Sequence, residues 1–536
     1  MNELYLGTNQ SRENFSKWCK KRGIFLHPDV VFLFPTKTMG MGVFAKRNLP
    51  SGTVVVSCPM SSSISPYSDL SLEAPSIQAL RASAEIQKDP VLCVVLRLIS
   101  ELSRPKSPWR PWLEVCPRMT EHLFSLNEAQ KALLMPSTRS PSMNVSPPGE
   151  KNEDATSCRS SLPCGPLPPW SGVSQQLLEM EIDSRWEKAR RFMRDHPDFW
   201  PPAVQEDFGL FCECVAQVVS RNFHREETVA REGPYLLPGL DIINHSFEPN
   251  CVFNIRGGGR KHAMEFAVLT SRALQAREQI FCSYGRIGAP RFVVEFQFIT
   301  EAVKREDMVR FSAETLVGIS TELHCRPRRI VDAGASVREQ DCRKDMRYRV
   351  DRLQRTGILY DEGLYLLQPD FHPPRAAIAS TEVSGGGSAS QEVEGVGERR
   401  AKHQEEVREH LRILLFVVYC LRSDREVFES TYRGVPRDWE PPITEQLKTW
   451  VREMLGEKRK VVAFQSEHLN DVFGEDAAVD ASPPSSSPSP SPSPSPTPTA
   501  PIGRRHLLRE VLQSELSILE KYELIIQNLP CSQHNH

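Results

Sequence analysis

Two short stretches carry the residues best suited to chemistry. From Asp241 to Cys251 the chain reads Asp-Ile-Ile-Asn-His-Ser-Phe-Glu-Pro-Asn-Cys, and further on it reads Cys282-Ser283-Tyr284-Gly285. Asn244 and His245 set a carboxamide beside an imidazole, with the Asp241 carboxylate just upstream. Tyr284 places a phenol at the end of a strand-like run, before a glycine. Such groups bind and orient polar ligands, and a phenol oxygen also accepts the weak hydrogen bonds of a polarised methyl group. Each taken singly has a plainer reading. Asn244, His245 and Asp241 can satisfy a buried turn. Tyr284 can be a core or surface residue, and Gly40-Met41-Gly42 can be a turn.

Together and in this order, the two stretches resemble the Asn-His-Ser-x-x-Pro-Asn signature and the closing Tyr-Gly of SET-domain protein methyltransferases. Local matches extend the resemblance. Met39 to Ala45 is similar to the family's Gly-x-Gly segment. Glu101 with Ser107-Pro-Trp109-Arg-Pro-Trp112-Leu113, Ser220-Arg221-x-Phe223, and Phe292-Val293 with Phe298 follow further family patterns. The layout is that of the branch typified by the Rubisco large-subunit lysine methyltransferase and the actin-histidine methyltransferase. The chain departs from that branch at four places. Ala289 stands for an Asn, Phe296-Gln297-Phe298 for Tyr-Gly-Phe, Met39 for a Glu, and Arg277 for a Gly.

The resemblance implies an α+β fold. A β-rich SET domain would occupy about residues 15–300, split by a helical insertion at about 85–235 that carries a disordered loop at about 137–170. A mainly α-helical substrate-binding domain would fill about 301–536, with disordered linkers at about 376–400 and 474–503. It also implies S-adenosyl-L-methionine as methyl donor, bound by Gly40, Met41, Gly42, Arg221, Asp241, Asn244, His245, Tyr284 and Phe298. Arg221 would meet the cofactor carboxylate and Phe298 would stack on the adenine. Tyr284 would be the catalytic residue. The implied activity is protein-lysine N-methylation of a histone or non-histone substrate. Two alternatives stand beside it: a protein-histidine N-methyltransferase, since channel shape selects the acceptor, and a catalytically weak SET protein acting as a protein-binding module, motivated by Ala289 and Met39. The partner is a protein presenting a Lys or His side chain, and a monomer is expected. The zinc-binding Cys cluster that often follows SET domains of histone enzymes has no counterpart in the sequence, so no metal is expected.

Methyl transfer makes two physical demands. Nitrogen, methyl carbon and sulfur must be held in line, which is an orientation problem. The amine must also be neutral, although a free lysine has a pKa of about 10.4. An apolar channel disfavours the charged form.

The elements that must position these groups can be read from pattern. Strands are expected at Val30–Phe34, Val54–Ser57, Cys251–Ile255 and Glu265–Leu269, with Gly257-Gly258-Gly259 as a hairpin loop. Residues 90–103 read as a buried helix, and Ala203–Phe223 carries apolar residues at helical spacing. Leu508, Leu512, Leu516 and Leu519 mark an amphipathic helix that packs back onto the C-terminal region. Before it, Ser482–Pro501 is a Ser-Pro repeat.

With 536 residues and a formal charge of −2, the chain is long enough for two or three domains. It is not built to coat nucleic acid or an anionic membrane. The 14 cysteines include no C-x-x-C pair, the usage of reduced thiols. The apolar run Leu411–Leu421 is short and contains Arg412, so it reads as a buried helix and not a membrane span. No signal-peptide core or organelle presequence is seen, and a cytoplasmic or nuclear location is expected.

Overall fold

The computed structural model describes residues 9–36, 39–66, 75–117, 119, 122–135, 168, 170–226, 231–257, 264–325, 335–360, 362–370, 389–432, 442–473 and 503–532. The strands are β1 (Phe25–Leu26), β2 (Val30–Pro35), β3 (Met41–Ala45), β4 (Val54–Pro59), β5 (Asn222–Glu226) and β6 (Arg231–Leu236). They continue with β7 (Asn244–His245), β8 (Cys251–Arg256), β9 (Glu265–Thr270), β10 (Gln279–Cys282), β11 (Met308–Phe311) and β12 (Leu364–Leu367). One four-stranded sheet runs β1-β4-β9-β8 and a second runs β2-β3-β10-β7. β5 pairs with β6, and β11 with β12.

The first sheet holds because its central strands β4 and β9 are near-continuous apolar runs, buried on both faces. Val55, Val56 and Cys58 of β4 and Phe266 and Ala267 of β9 are wholly buried. β8 and β9 pair antiparallel from Cys251↔Thr270 to Arg256↔Glu265. Of the glycine run between them only Gly257 is described. The second sheet brings the two motifs together. β10 pairs antiparallel with β3 on one side and parallel with β7 on the other. A parallel neighbour so short cannot arise from a hairpin. The chain passes through β7 first and returns later as β10, so Asn244 and His245 lie opposite Phe281 and Cys282.

The helix at Pro90–Ser103 starts on an Asp89 cap, whose side chain accepts the Leu92 N–H, followed by Pro90 at the first helical position. It packs against Phe208–Arg221 through Leu92, Val95, Phe211, Val215 and Val218, all fully buried. That second helix begins later than its apolar spacing predicts. Pro202–Gln205 forms a separate turn, and Asp207 caps the true start by accepting the Leu210 N–H. The helix therefore ends at Arg221, immediately before β5.

Two apolar cores result. One gathers residues from Phe15 to Val303 together with Leu469, Leu507, Leu508 and Val511. The other gathers Trp170, Val309 to Leu366, Leu414 to Val462, and Leu512 to Ile526. The helix Arg504–Asn528 contributes its first turns to the first core and its later turns to the second. It thus packs back onto the C-terminal region and onto the N-terminal half as well.

Three segments differ from their composition-based reading. The range 376–400, read as a linker, is entered by a helix over Ala389–Arg422, and its residues 376–388 lie outside the described residues. Its buried stretch Leu414–Leu421 anchors that helix, and the helix-favouring Glu, Arg, Ala, Lys and Gln residues after Gly397 propagate it upstream. Trp170, at the end of the Ser/Pro-rich range 137–170, is buried in the second core, because a large apolar ring outweighs the composition of its neighbours. Residues 137–167 and 169, and 474–502, lie outside the described residues, whereas Gly503 is described and caps the final helix.

Two of the departures noted above fall at special backbone positions. Arg277 has φ +71° and Gln297 has φ +58°, the left-handed region where a side chain costs roughly 1–2 kcal/mol. These are the places where the family carries glycine. Arg277→Gly and Gln297→Gly are each expected to raise stability by about 0.5–1 kcal/mol after the entropy of the added glycine is subtracted. A urea midpoint at or below the wild-type value for both variants would rule out strain at these positions.

Candidate functional site

The site grows from the parallel pairing of β7 and β10, where the two motifs meet. The Tyr284 backbone N–H donates to His245 Nδ1 at 3.0 Å, which places the ring proton on Nε2. Burial pushes the imidazole down to about 4, so it is neutral at pH 7. Its Nε2 is buried and has no partner among the described residues. The Tyr284 hydroxyl donates to the backbone carbonyl of Ile243 at 2.9 Å. Burial raises the pKa of the phenol, so the group stays protonated. Its oxygen keeps lone-pair capacity to accept.

Aromatic rings enclose this tyrosine. Phe296 stacks on it at 4.9 Å between centroids, and His245 tilts against it at 5.2 Å. Phe298 sits beyond Phe296 and packs on Phe292 at 5.2 Å. Phe298 is half-buried, so one part of its ring is open.

Asn244 joins the motif to the glycine-containing segment. Its Nδ2 donates to the Met41 carbonyl at 3.0 Å. Gly42 is required there by close approach: a Cβ would come within 2.8 Å of Gln279 Nε2 and 3.1 Å of Asn244 Nδ2. Gly40 has φ +66° and nothing within 4 Å of its would-be Cβ, so its outer face is open.

Asp241 is buried, and both of its carboxylate oxygens are engaged. Oδ2 accepts from Trp112 Nε1 at 3.0 Å and Arg221 Nη1 at 3.2 Å, and Oδ1 accepts the Gly239 N–H at 2.9 Å. Burial raises the carboxyl's pKa, and the Arg221 guanidinium and the Trp112 and Gly239 donors oppose that rise. Arg221 also reaches the Asp241 backbone carbonyl at 3.1 Å. Its Nε is buried without a partner. The structure therefore gathers Arg221, Asp241, Asn244, His245, Tyr284, Met41 and Gly42 around this strand pair, with Phe298 at its aromatic edge. Asp241 faces inward and holds Arg221, while the Arg221 Nε remains available.

Three residues that braced the site escaped the reading of side-chain chemistry. Asn250 closes the motif stretch; its Nδ2 donates to Gln279 O at 2.8 Å and its Oδ1 accepts the Phe281 N–H at 2.8 Å. The signal was its place in the motif itself. Trp112 lies within a quoted run, yet only tertiary structure puts its indole on Asp241. Asp307 had no local signal. Its buried carboxylate accepts the Ala289 N–H at 2.6 Å, the Met308 N–H at 2.7 Å and the Ser514 hydroxyl at 2.5 Å. It thus fastens the segment after Tyr284 to the last helix.

Burial pushes the Asp307 carboxyl up to about 7, against the pull of Ser514 and the two N–H groups, with Glu515 adding to the rise. The folded pKa lies above the unfolded value, so this group's contribution is fully present below about pH 4 and is lost as pH climbs through about 7. Asp307→Asn is expected to gain stability relative to wild type across that window, with a slope approaching about 1.4 kcal/mol per pH unit. Urea midpoints of the two proteins measured from pH 4 to 8 check this; parallel curves would show that Asp307 does not titrate there.

Among the described residues no group of three or more His, Cys, Asp or Glu is placed to hold a metal ion. No helix among them is long and apolar enough to cross a membrane.

Residues 40–285 match the sequence model of the SET domain. Among curated proteins the chain is similar to the N-lysine methyltransferase SETD6 of Rattus norvegicus, at 24% identity over 285 residues, covering 51% of this chain and 51% of that protein. The protein of the same name from Bos taurus is 24% identical over 255 residues, 45% of this chain and 49% of that one. The chain spans about half the length of the curated relatives it matches. Among solved structures it is similar to the SET domain of LSMT, solved with lysine and AdoHcy bound, with a TM-score of 0.52 and 15% identity over 97% of this chain and 91% of that one. At that identity the likeness is one of fold.

Proposed function

Because residues 40–285 form a SET domain, we propose that the chain is an S-adenosylmethionine-dependent protein-lysine N-methyltransferase. One observation carries the reading above all. A neutral, half-buried tyrosine is fixed at both ends, by His245 at its backbone and by Ile243 at its hydroxyl, beside an aromatic wall. The SETD6 relatives, named as N-lysine methyltransferases, favour lysine as the acceptor.

The residues present suit the cofactor. Two buried donors, Arg221 Nε and His245 Nε2, have no partner among the described residues, and the outer face of Gly40 is open. Arg221 would meet the carboxylate, the Gly40–Gly42 backbone and Asn244 would line the amino-acid part, and Phe298 would flank the adenine. When bound, S-adenosylmethionine supplies a methyl on a positive sulfonium, and the acceptor nitrogen gains its N–C bond as the C–S bond breaks. The protein's own share is orientation and dehydration. Phe296 and Phe298 line an apolar approach that favours a neutral amine. The Tyr284 oxygen lies at its end to accept from the amine N–H and orient its lone pair. The helical region beyond about residue 300 would recognise the protein that presents the lysine.

Purified chain, labelled S-adenosylmethionine and a cell extract, followed by mass spectrometry of the modified residue, test the reading. Methyl-lysine is the expected product; methyl-histidine or no label would overturn it. Asn244→Ala gives a separate check on the cofactor site. Loss of the Asn244 amide frees the Met41 carbonyl and would remove a hydrogen bond to the charged amino-acid part of the cofactor; at roughly 1.5–3 kcal/mol for such a bond, cofactor binding should weaken about tenfold. Titration calorimetry on the folded variant reads the effect directly.

A further inference from the structure

A groove of about 260 Å³ opens between the N-terminal helix Asn9–Lys21 and β2, the edge strand of the sheet that carries Met41 and Gly42. Its floor is apolar, with Phe15, Leu26, Val31 and Phe32. Its rim carries Arg12, His27 and Lys46, and no acidic residue lines it. The Arg12 Nε is buried and has no hydrogen-bond partner among the described residues. The Lys46 ammonium donates to the Pro28 carbonyl at 2.9 Å and has no carboxylate partner among the described residues. His27 accepts the Asp29 N–H on Nδ1, which leaves its Nε2–H as a donor. The neighbouring Asp29 carboxylate pairs with Arg47 instead, at 3.7 Å.

A buried donor without an acceptor is costly, and one sign of charge above an apolar floor selects its complement. We propose that this groove binds an acidic peptide segment of a protein partner, with a carboxylate at the Arg12, His27 and Lys46 rim and an apolar side chain on the Phe15, Val31 and Phe32 floor. A peptide suits the shape better than a lipid surface does, because the floor is recessed between helix and strand. Among the described residues β2 has no strand on its outer side, so an extended segment can lie along it.

Fluorescence anisotropy with the full chain tests the proposal, using a fluorescein-labelled peptide of alternating glutamate with leucine or phenylalanine. Saturable binding is expected, weakening as salt rises. Arg12→Glu and Lys46→Glu should each weaken it about tenfold or more. Arg12→Gln, which removes the charge without reversing it and keeps an amide donor, should weaken it by a smaller factor. Lys344→Glu, an exposed change of the same sign on the helix Ala335–Arg355, should leave it unaltered. Thermal melts confirm that the rim variants are folded. Absence of binding, equal binding of a lysine-for-glutamate peptide, or an equal loss on Lys344→Glu would each overturn the proposal. So would phosphatidylserine vesicles that bind the chain and displace the peptide, since the groove would then serve a membrane surface.

Discussion

Replacing Tyr284 with phenylalanine is expected to lower methyl-transfer turnover by about 10²-fold or more, with cofactor affinity within about twofold of wild type. The reason lies in what the hydroxyl does in the fold. It is neutral and anchored to the Ile243 carbonyl, so it cannot serve as a strong base. Under the proposed function its value would be a fixed oxygen beside the aromatic wall, and phenylalanine keeps the ring contacts with Phe296 and His245 while deleting that oxygen. The structural cost is confined to one lost hydrogen bond and an unpaired Ile243 carbonyl, about 1–3 kcal/mol. Single-turnover rates and cofactor titration separate the two effects. A variant with wild-type turnover would remove Tyr284 from the chemistry.

The second large effect is expected where the last helix meets the rest of the chain. Lys458 and Glu515 form a buried ion pair at 2.9 Å, with side chains 0% and 2% exposed. Lys458 also donates to the Trp170 carbonyl, and Glu515 accepts the Gly172 N–H at 3.0 and 3.1 Å. Three segments far apart in sequence therefore share one polar knot. Glu515→Ala leaves the Lys458 ammonium buried with no counter-charge, held by the Trp170 carbonyl, and opens the N-terminus of the helix Gly172–Glu179. A loss of about 3–5 kcal/mol in unfolding free energy is expected. Lys458→Met with Glu515→Leu removes both charges together and should recover part of that loss, because breaking a buried pair costs more than replacing it. Chemical denaturation of the single and double variants provides the test. Additive losses would contradict the coupling.

What the sequence alone settled here were features set by local pattern. Alternation and β-branching placed β2, β4, β8 and β9 within a residue or two. The apolar run at 90–103 marked a buried helix that the structure retains with the same bounds. The Asn244-His245 and Tyr284-Gly285 stretches singled out the residues that now meet at the β7–β10 pairing. Their meeting was legible only through the resemblance, because a parallel contact between strands so far apart leaves no periodic trace. Tertiary structure alone decided the rest. Composition marked 389–400 as linker and Trp170 as part of a disordered loop, whereas burial of Leu414–Leu421 and of the Trp170 ring drew both into ordered structure. Arg277 and Gln297 look like simple departures from a glycine pattern until their φ values show that the backbone kept the glycine conformation. Asp307 and the Lys458–Glu515 pair sit in unremarkable sequence. Their roles come from burial, since a carboxylate or an ammonium acquires its energetic weight from the donors, acceptors and lost water around it, and those neighbours arrive from elements remote along the chain.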